Sequence, residues 1–181
     1  MDDAMVRPPA VPARTGVWAG IAAITMMFAA FVSALLVRQG EADWVRVQLP
    51  PILYVNTLAL MASSVTLERA RARGGETRSR WLSITLVLGL LFLGGQVLAW
   101  RSLVAQGLYL ATSPASAFVY VLTAVHGTHL LGGIAALVYV RRRAQRDPGP
   151  GAAGALAAAA GYWHFLTVLW VCLLLILTLR A

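Results

Sequence analysis

The chain has 181 residues, of which 59% are hydrophobic and 12% are charged, and its mean hydropathy is +0.72. This composition excludes a soluble enzyme of this length and is typical of membrane proteins. The formal net charge is +8, and all fifteen basic residues are Arg. Because these Arg residues are spread between apolar runs and do not form one water-facing surface, the charge does not indicate nucleic-acid binding.

Five apolar runs predict the elements of the fold in chain order. None of them contains Asp, Glu, Lys or Arg, and they cover residues 16–37, 50–67, 81–100, 117–140 and 157–179. A helix needs about 20 apolar residues to cross a bilayer core of roughly 30 Å, and only a helix satisfies the backbone of such a run in lipid. The sequence therefore predicts an all-α polytopic membrane protein. A bundle of five transmembrane helices forms a single domain, 16–181, after a polar tail, 1–15, and every charged residue is expected in connections and tails.

The Arg residues also predict an orientation, because basic residues in short connections stay on the cytoplasmic side. With five spans, the tail and the second and fourth connections share one side and hold eleven Arg, against four on the other side. This asymmetry predicts a cytoplasmic N-terminus and a periplasmic C-terminus.

Three histidines are the residues in the spans most able to carry chemistry, since an ionisable group inside a membrane is costly. His126 and His129 are three residues apart on the fourth helix and are expected on one face, and His164 lies near the start of the fifth. Such a set can in principle bind a metal or haem. No carboxylate or thiolate in the spans completes a ligand set, so each imidazole is expected to hydrogen-bond to a neighbouring helix or to interfacial water. The sequence thus predicts no catalytic, cofactor-binding or metal-binding residue.

Small and polar residues recur at helical spacing and predict close packing between helices. The third helix has such a stripe, and Asn56 and Ser63 share a face of the second. The fourth helix carries another stripe; the two stripes consist of Thr85, Gly89, Phe92 and Gln96, and of Thr123, His126, Gly127, Leu130 and Gly133. A chain with so many packing residues and so little chemistry is predicted to be a subunit of a larger complex.

Several of these segments resemble subunit III of the haem-copper oxidases. Thr123 to Gly133 follows the pattern T-x-x-H-G-x-H-x-x-x-G, and Tyr162 to Trp170 follows Y-W-H-F-x-x-x-x-W. The second helix, with Asn56-Thr57 and Ser63-Ser64-Val65-Thr66, and the third, from Thr85 to Gln96, also match the family. The first helix fits more loosely. These segments occur in the family's order over about residues 15 to 175.

The resemblance implies a short, five-helix bacterial subunit III of a proton-pumping terminal oxidase of the cytochrome c oxidase type, in the bacterial inner membrane. The implied oxidase takes its electrons from cytochrome c or from quinol. Haem and copper are implied in partner subunits I and II, and the chain itself is implied to carry no catalytic centre. Its implied work is to stabilise subunit I, bind structural phospholipid and support sustained turnover in aerobic respiration. A further membrane subunit is expected in place of two absent N-terminal helices. The implied structural or interface residues are Asn56, Ser63, Gln96, Thr123, His126, Gly127, His129, Gly133, Trp163, His164 and Trp170.

The sequence departs from the family where acidic residues are common. Ile24, Ala99 and Thr167 stand at those positions. A carboxylate role in proton uptake is therefore not carried over from the family to this chain. Two other functions stay open on the sequence. One is an accessory subunit of a nitric oxide reductase of the same superfamily, and the other is an independent small transporter or metal-binding membrane protein that uses the three histidines.

Overall fold

The fold is an all-helical bundle, as the apolar runs predict. A computed structural model describes residues 13–146 and 149–180, and there the chain forms α1 (Ala13–Arg38), α2 (Ile52–Arg71), α3 (Gly75–Ala105), α4 (Pro114–Arg146) and α5 (Pro150–Arg180). Four of these helices contain one predicted apolar run in full. The α2 helix starts two residues inside its run, because Pro50 and Pro51 precede its first turn and Pro51 is the N-cap.

The helices extend past the apolar runs into charged sequence, so the expectation that all charges lie in connections and tails is wrong. Arg69 and Arg71 lie in the last turn of α2, Glu76 lies in the first turn of α3, and Arg143 and Arg146 lie in the last turn of α4. Arg and Glu are good helix formers, and the backbone bonds continue beyond the apolar run. Likewise α1 includes Arg14 and Thr15 of the predicted tail, whose residues 1–12 lie outside the described part of the chain.

Four helices in the described residues are long and apolar enough to cross a membrane, namely Thr15–Arg38, Gly75–Ala105, Pro114–Arg146 and Gly151–Arg180. The α2 helix does not meet this composition, although it has 20 residues. Its sequence contains Asn56, Ser63, Ser64 and Glu68, which lower its hydropathy. The structure places the first three toward other helices of the bundle, as described below.

The helices form a closed ring of four, with one helix outside it. Among the described residues α2 packs against α3 and α5, and α4 packs against α3 and α5, which closes the ring. The α1 helix lies against α4 and α5 and does not pack against α2 or α3. Its inner side buries Phe28 and Leu35, whereas Trp18 and Met26 are 65% and 74% exposed. One side of α1 therefore faces away from the bundle.

The ring closes around Trp163 of α5, whose side chain is fully buried. The indole lies in a slot between Gly89 of α3 and Gly133 of α4, and its Nε1 donates a 2.9 Å hydrogen bond to the Ser63 hydroxyl of α2. A Cβ placed on Gly89 would lie 2.7 Å from Trp163 Cη2, and one on Gly133 would lie 3.2 Å from Cε3. Both glycines are therefore required by the close approach of the ring.

Gly89→Ala should destabilise the bundle, because the added methyl meets a ring that is fixed by its own hydrogen bond. Overpacking of this kind costs about 1–3 kcal/mol, against a helix-propensity gain of up to about 1 kcal/mol. The matched control is Gly94→Ala on the same helix, where nothing lies within 4 Å of the added Cβ. Thermal unfolding of the detergent-purified chain measures both. A Gly89→Ala protein as stable as the control would contradict the slot.

Candidate functional site: the polar contacts between the helices

Two indoles of α5 donate to two hydroxyls of α2. Trp163 Nε1 binds Ser63 Oγ and Trp170 Nε1 binds Thr57 Oγ1, both at 2.9 Å. Each hydroxyl donates its own proton to a carbonyl of α2, Leu60 O at 2.6 Å and Leu53 O at 2.7 Å respectively. An oxygen lone pair is therefore left to accept the indole N–H, and every polar group in the pair is satisfied. Such bonds join two helices without exposing polar groups to lipid.

The same α2 helix is bonded to α3 by its other polar face. Asn56 Nδ2 donates to the Phe92 carbonyl at 2.7 Å, and the Thr66 and Thr85 hydroxyls are 2.9 Å apart. The Asn56 amide packs directly over Gly95, where any Cβ would collide with it. Of the polar residues that lower the hydropathy of α2, Asn56, Ser63 and Ser64 are thus turned into the bundle, toward α3 and α5. Hydropathy alone cannot detect this arrangement, because it averages the two sides of a helix.

A third contact joins α3 to α4. Trp100 Nε1 donates to Thr123 Oγ1 at 2.9 Å, and Thr123 donates to the Val119 carbonyl at 2.7 Å. Gly127, one turn further along α4, makes an ordinary contact, since its added Cβ would lie 3.7 Å from Leu93. The predicted packing residues of α4 therefore differ in how tightly they are enclosed, with Gly133 in the tight slot and Gly127 outside it.

The three histidines face different surroundings. His126 is fully buried, and its ring centroid is 5.8 Å from that of Phe92 and 5.0 Å from that of Trp170. His129 Nδ1 lies 2.7 Å from the Val125 carbonyl of its own helix, and its ring packs on Phe28 of α1. His126 and His129 therefore meet different neighbours, although they are three residues apart on α4.

The hydrogen bonds of the histidines also differ from the expectation. His164 Nε2 reaches Glu68 Oε1 of the neighbouring α2 at 2.6 Å, as predicted. His129 instead bonds within α4. Neither nitrogen of His126 and neither polar atom of the Gln96 amide has a hydrogen-bond partner among the described residues. In residues 13–146 and 149–180 no group of three or more His, Cys, Asp or Glu side chains is placed to hold a metal.

Glu68, which was expected in a connection, lies in α2 and forms a polar contact that the sequence did not predict. Its carboxylate accepts from Arg71 at 2.7 Å and is bonded to His164 at 2.6 Å, at the end of α2 beyond the apolar run. Partial burial raises the pKa of Glu68, but the hydrogen bonds from Arg71 and His164 outweigh burial and hold this pKa below its ordinary value. The spacing of Glu68 and Arg71 by three residues on one helix was the available signal.

The positions where the resemblance departs from the family lie in or beside the packed core. Ala99 is 1% exposed and Thr167 is 7% exposed, and Ile24 packs against the cluster between α1, α4 and α5. Thr167 shares a 2.8 Å hydrogen bond with Ser64 of α2 and donates to the Trp163 carbonyl. A hydroxyl thus joins α2 and α5 at this position without a buried charge.

The fold and these contacts define a multi-pass helical membrane protein whose polar side chains bond the helices to one another. The family model described as cytochrome c oxidase subunit III matches residues 19–180. The chain belongs to the cytochrome c oxidase subunit III family, which confirms the resemblance seen in the sequence.

Curated relatives share most of the chain's length. The "Probable cytochrome c oxidase subunit 3" of Mycobacterium leprae is 30% identical, over 92% of this chain and 86% of the relative. The cytochrome c oxidase subunit 3 of Thermostichus vulcanus is 32% identical, over 84% of this chain and 80% of its own, and that of Bacillus sp. (strain PS3) is 27% identical, over 86% and 80%.

Thr57→Val should weaken the bond between α2 and α5, because it removes the acceptor of the buried Trp170 N–H and keeps the side-chain shape. Side-chain hydrogen bonds between membrane helices contribute about 0.6 kcal/mol on average and up to about 1.7 kcal/mol, so a loss of about 1 kcal/mol in unfolding free energy is expected. Thr128→Val is the control, since that exposed hydroxyl bonds only to the Ala124 carbonyl of its own helix. Equal stability of the two variants in denaturant titration would show that the indole contact contributes nothing.

Proposed function

We propose that the chain is the non-redox subunit III of a proton-pumping terminal oxidase of the cytochrome c oxidase type, in a bacterial inner membrane. The family match over residues 19–180 is the observation that carries this proposal. In it, haem and copper belong to subunits I and II, and this chain stabilises subunit I and supports sustained turnover. The polar contacts described above support a structural role, because they bond the helices of the chain to each other.

The packing stripes of α3 and α4 are used within this chain. Gly89 and Phe92 of α3, and His126 and Gly133 of α4, are all enclosed by residues of α5. Subunit I is therefore proposed to meet other faces of the bundle, on which large apolar side chains are exposed. On α3 this outer face includes Val87, Leu90, Leu91, Val97 and Leu98, each more than half exposed.

A further membrane subunit and phospholipid are proposed beside α1. The outward side of α1 exposes Trp18 and Met26 to the surroundings. Between α1, α2 and α5 lies a cavity of about 240 Å³, lined mainly by apolar residues with Arg71 and His164 at its polar end. The acyl chain of a phospholipid suits the apolar part of this lining, and its headgroup suits the end with Arg71 and His164. A helix of the further membrane subunit is proposed to lie against this outward side of α1.

The proposed orientation puts the N-terminus in the cytoplasm and the C-terminus in the periplasm, with five helices crossing the membrane. The Trp44 indole in the α1–α2 connection donates to the Arg180 carbonyl at 3.2 Å, so this connection and the end of α5 lie at one end of the bundle. The Arg141 guanidinium at the end of α4 and the Ser79 hydroxyl near the start of α3 meet at the other end. The Arg-rich segments therefore share an end, which supports a cytoplasmic location for it.

Labelling of introduced cysteines should test both the orientation and the crossing by α2. Cys172 is the single cysteine, so Cys172→Ser gives a clean background for Ala42→Cys, Ala72→Cys and Ala111→Cys, one in each of the first three connections. An impermeant maleimide added to intact spheroplasts should label positions 42 and 111, and position 72 only after permeabilisation. Labelling of positions 42 and 72 from the same side would show that α2 does not cross.

Gentle purification should test the function itself. A C-terminally tagged chain, extracted in mild detergent, should co-purify with a large polytopic subunit and a copper-binding partner, and the reduced-minus-oxidised spectrum should show haem. An untagged strain serves as the control for adventitious haem protein. Haem b with non-haem iron and no copper would instead identify a nitric oxide reductase. A colourless, solitary chain would refute the subunit assignment and direct attention to the independent transporter or metal-binding alternative.

A further inference from the structure

A second cavity lies between the N-terminal part of α3 and the C-terminal part of α4. Its volume is about 600 Å³, which is the size of a small-ligand site. Most of the residues that line it are polar or charged, and the lining also includes Leu82, which is 1% exposed. None of the family-signature residues named above lines this cavity.

Guanidinium groups dominate the charge of this cavity. Arg78 and Arg80 of α3 and Arg141 of α4 line it, with Glu76 as the single carboxylate in the lining. In the described parts of the chain the ion pairs join Arg38 to Asp43, and Arg71 and His164 to Glu68. The three lining Arg residues form no ion pair there, so the described lining holds three guanidinium groups against one carboxylate.

Two of these guanidinium groups, those of Arg78 and Arg141, each make one hydrogen bond through Nε. Arg141 Nε donates to the Ser79 hydroxyl across the α3–α4 interface at 3.3 Å, and Arg78 Nε donates to the Arg73 carbonyl at 2.8 Å. In each case the terminal nitrogens have no hydrogen-bond partner among residues 13–146 and 149–180, and a fixed fork of N–H groups suits the oxygens of a phosphate. The cavity is thus organised by bonds that do not consume its binding groups.

The position of the cavity along α3 and α4 indicates that it lies at the membrane surface. Charged sequence ends at Arg80 and the apolar run of α3 starts at Trp81, while the apolar run of α4 ends at Val140, just before Arg141. Trp81 is covered by Arg69, whose guanidinium carbon lies 5.1 Å from the ring centroid. Trp is enriched at membrane interfaces, where the phosphates of lipid headgroups are found. Cytoplasmic leaflets carry anionic lipids that attract such basic clusters.

We propose that this cavity binds a phosphate group, with Arg78 and Arg141 as its main ligands and Arg80 at the rim. Two sources share this chemistry: the headgroup of an anionic phospholipid and free phosphate. The proposal deepens the lipid role given above and rests on it for the choice of a lipid. It concerns a site different from the cavity beside α1.

Binding to the full-length chain in detergent tests the proposal. Phosphatidylglycerol, phosphatidylcholine and inorganic phosphate are titrated separately and followed by native mass spectrometry or Trp fluorescence. The variant R78Q/R141Q should weaken phosphatidylglycerol binding at least tenfold. The matched control R142Q/R146Q removes the same charge from exposed positions of α4 outside the lining and should change binding less than twofold.

The outcomes separate the two sources and can overturn the site. Binding of inorganic phosphate but not phosphatidylglycerol, with the same dependence on Arg78 and Arg141, would assign the cavity to the free anion. Equal losses in both double variants would reduce the effect to general electrostatic attraction and overturn the proposal. No loss in either variant, or equal affinity of wild type for phosphatidylcholine and phosphatidylglycerol, would overturn it as well.

A measurement on the unaltered chain covers the case in which R78Q/R141Q fails to fold. Phenylglyoxal modifies accessible Arg side chains, and the modified positions can be mapped by mass spectrometry. Phosphatidylglycerol or phosphate should protect Arg78 and Arg141 at least fivefold and leave Arg142 and Arg146 unprotected. Uniform protection, or none, would refute the site. Both assays use the chain alone, so failure to co-purify with an oxidase would refute the proposed function without deciding this one.

Discussion

The packing of Trp163 between Gly89 and Gly133 is the constraint on which the four-helix ring depends. One side chain of α5 touches α3 and α4 through glycines and bonds α2 through the Ser63 hydroxyl. In lipid there is no hydrophobic driving force between helices, so their association depends on close packing and on hydrogen bonds between them. Trp163 supplies both at one place. Glycine is needed on two sides because the ring fills the space that a Cβ would occupy.

The polar side chains of α2 follow from the same constraint. A helix that bonds both neighbours must carry donors and acceptors, and Asn56, Thr57, Ser63 and Thr66 provide them. These residues lower the hydropathy of α2, yet their polar atoms meet partners inside the chain. The outward residues of α2, such as Val55 and Leu58, remain apolar and exposed. A low mean hydropathy thus coexists with an apolar outer face.

The middle of the bundle and its ends are held by different kinds of contact. In the middle, neutral hydroxyls, amides and indoles join the helices, and the buried positions 99 and 167 hold Ala and Thr. At the ends, the helices extend into charged sequence, where Glu68 bonds Arg71 and His164. Charges are less costly there because water and lipid headgroups reach them. This division suits a subunit that presents an apolar surface to its partners and a charged surface to one side of the membrane.

The sequence by itself determined the number of helices and their positions, because lipid leaves an apolar run of about 20 residues no structure other than a helix. It also determined the family, through motifs such as T-x-x-H-G-x-H that are kept in order along the chain. It predicted a packing role for Gly89 and Gly133, since small residues at helical spacing indicate close approach, and the resemblance implied a structural role for Trp163. The sequence did not determine where the helices end, because helical backbone bonds continue into charged sequence.

Only the tertiary structure decided which partner each of these residues meets. A stripe on a helix can face a helix of its own chain or another subunit, and nothing local distinguishes the two. The stripes of α3 and α4 predicted close packing without indicating a partner, and the structure encloses them with Trp163 and Trp170 of α5. His126 and His129 likewise meet different neighbours although three residues separate them. The physical reason is that a contact depends on how the helices are arranged around each other. Residue spacing along a single helix gives no information about that arrangement.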